Sequence, residues 1–298
     1  MPIPESQLDT WSAQGSVTQS KNTYASVKGV LESPNSPYYQ RSFDSFLQGS
    51  YGNDTNIYAD SDVDVVLRLN STFQFDIEQL TETAKSNFHG TFLHEPYGYS
   101  QFKEEVASWL IANYGASSVH AGKKAIRIDG TGNRRDADVL PCLQHRTYYS
   151  SSSGSDQSYI EGITFYLPNG TQVVNYPKQH SANLTSKHQN TNGMLKPTIR
   201  ILKNMRNRMI ADGVIEAGLA PSYFIEGMMS NVPNGHFNFT SYQTTVAQSF
   251  HWIAHSNHSQ LTCANGIHWL ARKGYVECWN TDDFEKYLNA ALDYWNSW

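Results

Sequence analysis

Acidic residues alternate with valines in Asp60-Ser61-Asp62-Val63-Asp64-Val65-Val66-Leu67, and this stretch limits the fold more than any other part of the chain. A period of two with β-branched residues predicts a strand. On a strand Asp62 and Asp64 project to one side while Val63 and Val65 project to the other. One face then needs an apolar layer, and the other must reconcile two carboxylates. Close carboxylates repel each other unless a cation lies between them, and oxygen-only ligands suit Mg²⁺. Upstream, Phe46-Leu47-Gln48-Gly49-Ser50-Tyr51-Gly52 carries a Gly-Ser turn whose N–H groups and hydroxyl can meet a phosphate. The two features together predict a metal-and-triphosphate site. A third carboxylate is expected from Asp136-Ala137-Asp138-Val139, after a hairpin turn. Three carboxylates holding two metal ions would clamp an in-line displacement at a nucleotide α-phosphate, Asp62 and Asp64 binding the metals and Asp138 facing the attacking hydroxyl. A calcium loop on Asp60, Asp62 and Asp64 fails, because Val65 stands where the loop needs glycine and Ser71 where it needs glutamate.

The rest of the composition narrows the class. A chain of 298 residues can bury a sizeable core in one or two domains. Its formal net charge of −5 argues against a generic polyanion-binding surface, so a basic site must be local. No apolar run reaches membrane-spanning length, and Met1-Pro2-Ile3-Pro4-Glu5 is not a signal peptide. Cys142, Cys263 and Cys278 are odd in number and lack metal-type spacing, which reads as reduced thiols in a cytoplasmic protein.

Read in order, a helix is expected from about Thr18, ended by Ser33-Pro34-Asn35-Ser36-Pro37. After the acidic strand, Phe102, Val106, Trp109, Leu110 and Ile111 suggest an amphipathic helix over 100–114, stopped at Gly115. Ala125 to Ile128 and Asp136 to Pro141 read as strands joined through Gly130-Thr131-Gly132-Asn133. The serine-rich 148–157 reads as a mobile loop, and 163–174 as a hairpin turning at Pro168-Asn169-Gly170. From about residue 180 the character is helical: 194–211 with Leu195, Ile199, Leu202 and Met205 as its stripe, then helices from Pro221, over 242–255 and over 282–295. The expectation is an α/β (α+β) chain with a mixed or antiparallel sheet in residues 1–180 and a helical lobe in 181–298, substrate lying in the cleft between them.

The series Gly-Ser, a loop of about ten residues, Asp-x-Asp in a strand and a distant Asp-Val resembles the DNA polymerase β-like nucleotidyltransferases. More narrowly, Leu47 to Tyr51 and Asp60 to Val65 resemble the bacterial cGAS/DncV-like nucleotidyltransferases of the CdnE-type clade. The likeness continues through Tyr159-Ile160-Glu161-Gly162, Val174 to Lys178, Lys196 to Arg200 and Leu219 to Phe224, and so covers nearly the whole chain.

That resemblance implies roles residue by residue. Asp62, Asp64 and Asp138 become the catalytic and metal-binding acids, Asp138 being preferred to Asp136 two residues before it because it directly precedes Val139. Gln48, Gly49 and Ser50 become the triphosphate turn, Gly49 allowing close backbone approach. Lys196, Arg200 and Lys203 fall at i, i+4, i+7, so one helix face carries three positive charges. They either neutralise a triphosphate, Lys196 foremost and Lys203 after it, or form a solvated face. Ser222 either reaches nucleotide phosphates, as in relatives, or caps a helix. Asn175 either pairs with the O4 and N3–H edge of uracil or caps the turn into Pro177; in relatives, asparagine here accompanies a pyrimidine and serine accompanies purines. Tyr51 and Tyr176 either stack on bases or pack. Lys123, Lys124, Arg127, Arg134 and Arg135 flank the nucleotide or solvate a hairpin, and no nucleic-acid activator is expected.

The implied activity is two successive transfers from UTP and ATP, each releasing pyrophosphate, that close cyclic UMP-AMP for anti-phage signalling. Two Mg²⁺ ions serve as cofactors, with Mn²⁺ able to substitute. The product is expected to reach a downstream cyclic-nucleotide-sensing effector, and the enzyme to act as a monomer away from any membrane. The alternatives are a purine-only cyclic product, a linear oligonucleotide or a modified small molecule, and, in another class, a nucleotide-binding partner that has lost catalysis.

Overall fold

The structure is a computed structural model that describes residues 3–15, 17–58, 62–88, 97–150 and 157–298. Asp60, Ser61 and the centre of the serine-rich stretch (151–156) lie outside the described residues. In chain order the helices are α1 (Glu5–Ser12), α2 (Thr18–Leu31), α3 (Gly49–Gly52), α4 (Glu82–Phe88), α5 (Tyr99–Tyr114), α6 (Pro177–Asn190), α7 (Leu195–Ala211), α8 (Ser222–Asn231), α9 (Tyr242–His255) and α10 (Thr281–Ser297). The strands are β1 (Phe43–Leu47), β2 (Val63–Gln79), β3 (Val119–Ala121), β4 (Ile126–Ile128), β5 (Ala137–Ser150), β6 (Gln157–Tyr166) and β7 (Gln172–Asn175). The chain forms two compact units, a sheet unit of 18–47 and 62–176 and a helical unit of 1–17, 48–61 and 177–298. The helical unit therefore draws 1–17 and 48–61 from before the expected cut near residue 180.

In the sheet unit the strand order is β1-β2-β5-β4-β3, with β6 on β5 and β7 on β6. Among the described residues β2 and β5 run parallel and the other strand pairs are antiparallel. The alternation that predicted β2 is expressed as burial. Val63 and Val65 are fully buried, while Asp64 is only half-buried on the opposite face. Ala137 and Val139 repeat this around Asp138 on β5. Each aliphatic side chain removed from water in this way contributes about 1.5–3 kcal/mol, so a one-residue slip of either strand would exchange valines for aspartates in the core. Pro141 falls between the part of β5 that pairs with β4 and the part that pairs with β6, so its missing N–H costs no bond to either strand. β5 and β6 continue to Ser150 and from Gln157, so both ends of the expected loop over 148–157 are paired strand. The β6–β7 hairpin turns at Pro168 to Gly170, where Gly170 N–H donates to Leu167 O at 2.9 Å.

The helical unit is organised on α7. Leu195, Ile199, Leu202, Met205 and Met209 are buried along one side of it, among side chains from α1, α8, α9 and α10. Two helix starts show why these ends form where they do. Asn280 caps α10 by accepting from Asp282 N–H, with Asp282 and Asp283 favourably placed in its first turn. At α9 the carboxylate of Glu5, from α1, accepts the N–H groups of Tyr242 and Gln243 at 2.5 and 2.9 Å. This satisfies donors that a helix start cannot pair internally. The three cysteines are free thiols. Among the described residues no helix is long and apolar enough to cross a membrane.

Candidate active site

The acids are assembled by the pairing of β2 with β5. Asp64 lies directly opposite Asp138 in the parallel register, and aligned residues of parallel strands point to the same face. Asp62 sits just before β2, where Val63 N–H donates to Asp136 O at 3.0 Å. On the far side Asp138 pairs in register with Arg127 of β4. Burial first, and then the charge of Asp62, hold the Asp138 carboxyl above the usual carboxylate range; Arg127 pulls the other way and Asp136 adds a little to the rise. Asp138 therefore sits among like charges in a half-dry setting that an added cation would relieve. Asp136, its neighbour two residues earlier, is committed elsewhere. Its Oδ2 accepts from Arg127 Nη2 at 2.7 Å and its Oδ1 from Gly130 N–H at 2.6 Å, fixing the β4–β5 turn.

Among the described residues no three His, Cys, Asp or Glu side chains form a group that could hold a metal ion by themselves. Mg²⁺ binds through one or two carboxylates, water and substrate phosphates, and the in-register pair Asp64 and Asp138 offers two such carboxylates.

The basic cluster braces its own hairpin. Arg134 donates to Asp129 O at 2.7 Å and stacks 4.3 Å from the Tyr114 ring centroid, while Arg135 N–H donates to Thr23 Oγ1 at 2.9 Å.

Asn175 ends β7, opposite Ile163. Its Oδ1 accepts Tyr176 N–H at 2.8 Å, which is the local cap anticipated as one of its two roles. Tyr176 packs rather than presenting a face for stacking. It is 3% exposed, its hydroxyl bonds Thr147 Oγ1 at 2.6 Å, and its ring stands edge-on to His145. Gly162 lies against both residues; a Cβ there would come within 2.8 Å of Asn175 O and 2.9 Å of the Tyr176 ring.

The Gly-Ser turn belongs to the helical unit. Gln48 occupies the cap of the single-turn α3, and Gly49 follows at φ 67°, a left-handed conformation that strains any residue with a Cβ. Ser50 O accepts Thr55 N–H at 2.9 Å, closing the turn. Lys203 Nζ then donates to Ser50 Oγ at 2.6 Å and to Thr55 O at 3.0 Å.

The basic face of α7 is not solvated, which corrects one of its two expected roles. Lys196 and Lys203 are buried, and Arg200 is bonded to backbone. Lys196 Nζ meets Asp54 Oδ2 at 3.0 Å and Thr185 Oγ1 at 3.4 Å. Arg200 donates to Ser12 O at 2.5 Å and to Asp54 O at 2.8 Å. All three cations therefore converge on the segment from Ser50 to Thr55 that follows the turn. Ser222 is also not a helix cap, because Pro221 occupies that position. Its hydroxyl accepts from Arg206 Nη1 at 3.2 Å, the same nitrogen that donates to Ala220 O at 2.9 Å.

One residue of this arrangement escaped sequence reasoning. Glu226 on α8 accepts from Asn53 Nδ2 at 3.0 Å, from His180 Nε2 at 2.7 Å and from the Thr55 hydroxyl. Burial acts to raise its carboxyl, but the His180 bond, the Lys203 charge and the Thr55 bond outweigh this and hold it below the usual range. The available signal was a lone acid in Tyr223-Phe224-Ile225-Glu226-Gly227-Met228-Met229, since a carboxylate in such company is buried only when paired.

Comparison with known proteins bears on both units. Residues 182–296 match the cGAS/DncV-like nucleotidyltransferase C-terminal helical domain. A cyclic UMP-AMP synthase of Rhodothermus marinus is 39% identical over 100% of this chain and 99% of its own. A cyclic nucleotide synthase, CdnE01, of Staphylococcus haemolyticus is 35% identical over 100% of both chains. The solved structure of Rhodothermus marinus CdnE c-UMP-AMP synthase with Apcpp and Upnpp superposes with a TM-score of 0.87 at 38% identity, covering 100% of this chain and 98% of that one. A helical lobe of matching type, acids paired across β2 and β5, and full-length identity well above the fold-only range agree with one another: the chain belongs to the cGAS/DncV-like nucleotidyltransferases, in the CdnE-type clade.

Proposed function

We propose that this enzyme is a Mg²⁺-dependent cyclic dinucleotide synthase that joins UTP and ATP into cyclic UMP-AMP, a second messenger of bacterial anti-phage signalling. The observation that carries the chemistry is the pairing of Asp64 with Asp138 across β2 and β5. The choice of product is supported by the 39% identity, over full length, to a relative named for cyclic UMP-AMP synthesis.

Asp62, Asp64 and Asp138 would hold the metal. Bound there, Mg²⁺ would supply Lewis-acid neutralisation of charge building on the α-phosphate and on the leaving pyrophosphate. The protein's own groups do the rest. Asp138 accepts the proton of the attacking ribose hydroxyl. The hydroxyl oxygen forms a bond to the α-phosphorus as the bridging bond to the β-phosphate breaks, and pyrophosphate leaves with that bond's electrons. The backbone of Gln48 and Gly49, Ser50, Lys196 and Ser222 hold the triphosphate, with Lys203 adding its charge from behind Ser50. Asn175, whose amide combines donor and acceptor, favours uracil. A second transfer of the same kind closes the ring. The enzyme works as a cytoplasmic monomer without a nucleic-acid activator, and its product is read by a separate effector.

The test is incubation with all four ribonucleotides and Mg²⁺, one labelled at the α-phosphate at a time, followed by mass spectrometry of the phosphatase-resistant product. A cyclic product holding one uridine and one adenosine supports the reading. A purine-only cycle would keep the reaction and remove Asn175 as selector. A product that phosphatase degrades would be linear and would retire ring closure.

A further inference from the structure

Glu226 touches no group assigned above to the chemistry, yet two of the three donors it accepts from, Asn53 and Thr55, lie just beyond the phosphate turn. Its two oxygens take Asn53 Nδ2 at 3.0 Å and the Thr55 hydroxyl, so it grips the segment three and five residues beyond Ser50. Thr55 in turn holds Ser50 through its N–H to Ser50 O at 2.9 Å, and Asn53 N–H holds Gly49 O at 3.1 Å. Lys203 also bridges Ser50 Oγ and Thr55 O. The turn is therefore held by one buried anion and one buried cation, Glu226 and Lys203 being 2% and 0% exposed. His180 completes the shell. It donates from Nε2 to Glu226, leaves Nδ1 without a partner, and lies stacked on Tyr223 with ring centroids 4.6 Å apart.

Apolar residues in place of Glu226 and its buried partners together would fill this space without burying a charge, and replacing a whole buried set in this way is often neutral or stabilising. A carboxylate with three directed donors costs desolvation, and in return it fixes geometry. We propose that Glu226 is a positioning residue of the nucleotidyltransferase reaction, setting through Asn53 and Thr55 the place at which Gly49 and Ser50 meet the triphosphate. The inference rests on the reading that this turn binds triphosphate, and it goes further by naming what holds the turn in a binding shape. Positioning of a binding turn is felt as substrate affinity, whereas a merely structural defect lowers the fraction of active enzyme and with it kcat, leaving KM unchanged.

The experiment is pyrophosphate release by the wild type, Glu226→Gln and Thr55→Val, with KM and kcat measured well below the melting temperature of the weakest variant. Thr55→Val cuts the tether to Glu226 and the longer bond of the same hydroxyl to Ser50 O at 3.4 Å, while leaving both buried charges, the Thr55 N–H bond to Ser50 O and the Lys203 bond to the backbone of residue 55. The expected result is a KM for ATP and UTP raised about tenfold in Glu226→Gln and about threefold in Thr55→Val, with kcat within about twofold. In a Ser50→Ala background Glu226→Gln should add little, because its effect passes through Ser50. An active wild type whose KM is matched by both variants would overturn the proposal, whatever happens to kcat. If Glu226→Gln does not fold, Thr55→Val decides alone, an unchanged KM counting against. A wild type that releases no pyrophosphate would defeat the functional reading itself, and this proposal with it.

Discussion

Asp64 and Asp138 stand opposite each other in the parallel pairing of β2 with β5, with valine and alanine buried on the reverse face. Register, and not a loop, sets their separation. The same valines that hold the two strands in the core place Asp138 where burial and the charge of Asp62 disfavour its ionised form, so the fold carries an electrostatic cost that a cation would relieve.

That cost has a sign that can be tested. Burial and Asp62 raise the Asp138 carboxyl, so the folded state holds its proton more tightly than the unfolded chain does. Stability then falls as pH climbs from the ordinary aspartate range through the raised folded value, above which the deficit is complete. Asp138→Asn should therefore melt higher than the wild type at pH 7, with the gain shrinking as pH drops below about 4. Adding Mg²⁺ should raise the wild-type melting temperature more than that of the variant. Scanning calorimetry across pH, with and without Mg²⁺, reads both effects.

Lys203 is the cation buried beside Glu226. Lys203→Met removes the two bonds it makes to the Ser50 turn and leaves Glu226 without that charge. Breaking a buried pair by removing one partner costs on the order of 3–5 kcal/mol. Urea denaturation at pH 7 should show a loss of about this size. The depressed Glu226 carboxyl contributes stability above its unfolded value that fades as pH falls through its folded value. The gap between wild type and variant should therefore narrow in acid.

Lys196 is held by Asp54, whose side chain is 62% exposed while that of Lys196 is 5% exposed. A carboxylate in that position competes with phosphate for the ammonium. Asp54→Asn should lower the KM for triphosphate by about threefold, the range expected of a partly exposed pair. Lys196→Ala should raise it. In a salt titration KM should rise less steeply for the wild type than for Asp54→Asn, since salt screens the Lys196–phosphate attraction in both and the opposing Asp54 competition in the wild type alone.

Gly162 leaves room for Asn175 and Tyr176. Gly162→Ala would push a methyl within 2.8 Å of Asn175 O, an overpacking that costs about 1–3 kcal/mol and displaces the end of β7. Incorporation of uridine relative to adenosine should fall in this variant, and should fall further in Asn175→Ser, where the amide is lost while the glycine is kept. Equal incorporation in all three proteins would detach base choice from this corner of the sheet.

How much of this was legible follows from where the physics resides. The acids could be read because a strand writes its two faces into a period of two, and Asp62, Asp64 and Asp138 interrupt that period with charge. The helix expected over 194–211 appears as Leu195–Ala211 for the matching reason at period 3.6. By contrast α6 is polar along most of its length and buries only His180 and Leu184, so no stripe announced it. The basic face of α7 was legible as charge but not as burial, because its partners Ser12, Ser50, Asp54 and Thr55 lie far upstream. Glu226 was hidden for the same reason, its bond to Thr55 spanning 171 residues. Spacing along one element is written locally; a clamp built from four elements is not.

The most direct test of the central claim is pyrophosphate release from ATP plus UTP with Mg²⁺ by the wild type and by Asp64→Asn, each checked for native circular dichroism. The account predicts steady release by the wild type and a fall of about a thousandfold or more in the variant, since one carboxylate of the paired set is lost without a change in shape. Release by Asp64→Asn within tenfold of the wild type would contradict it, because the β2–β5 carboxylates would then be only a solvated strand face.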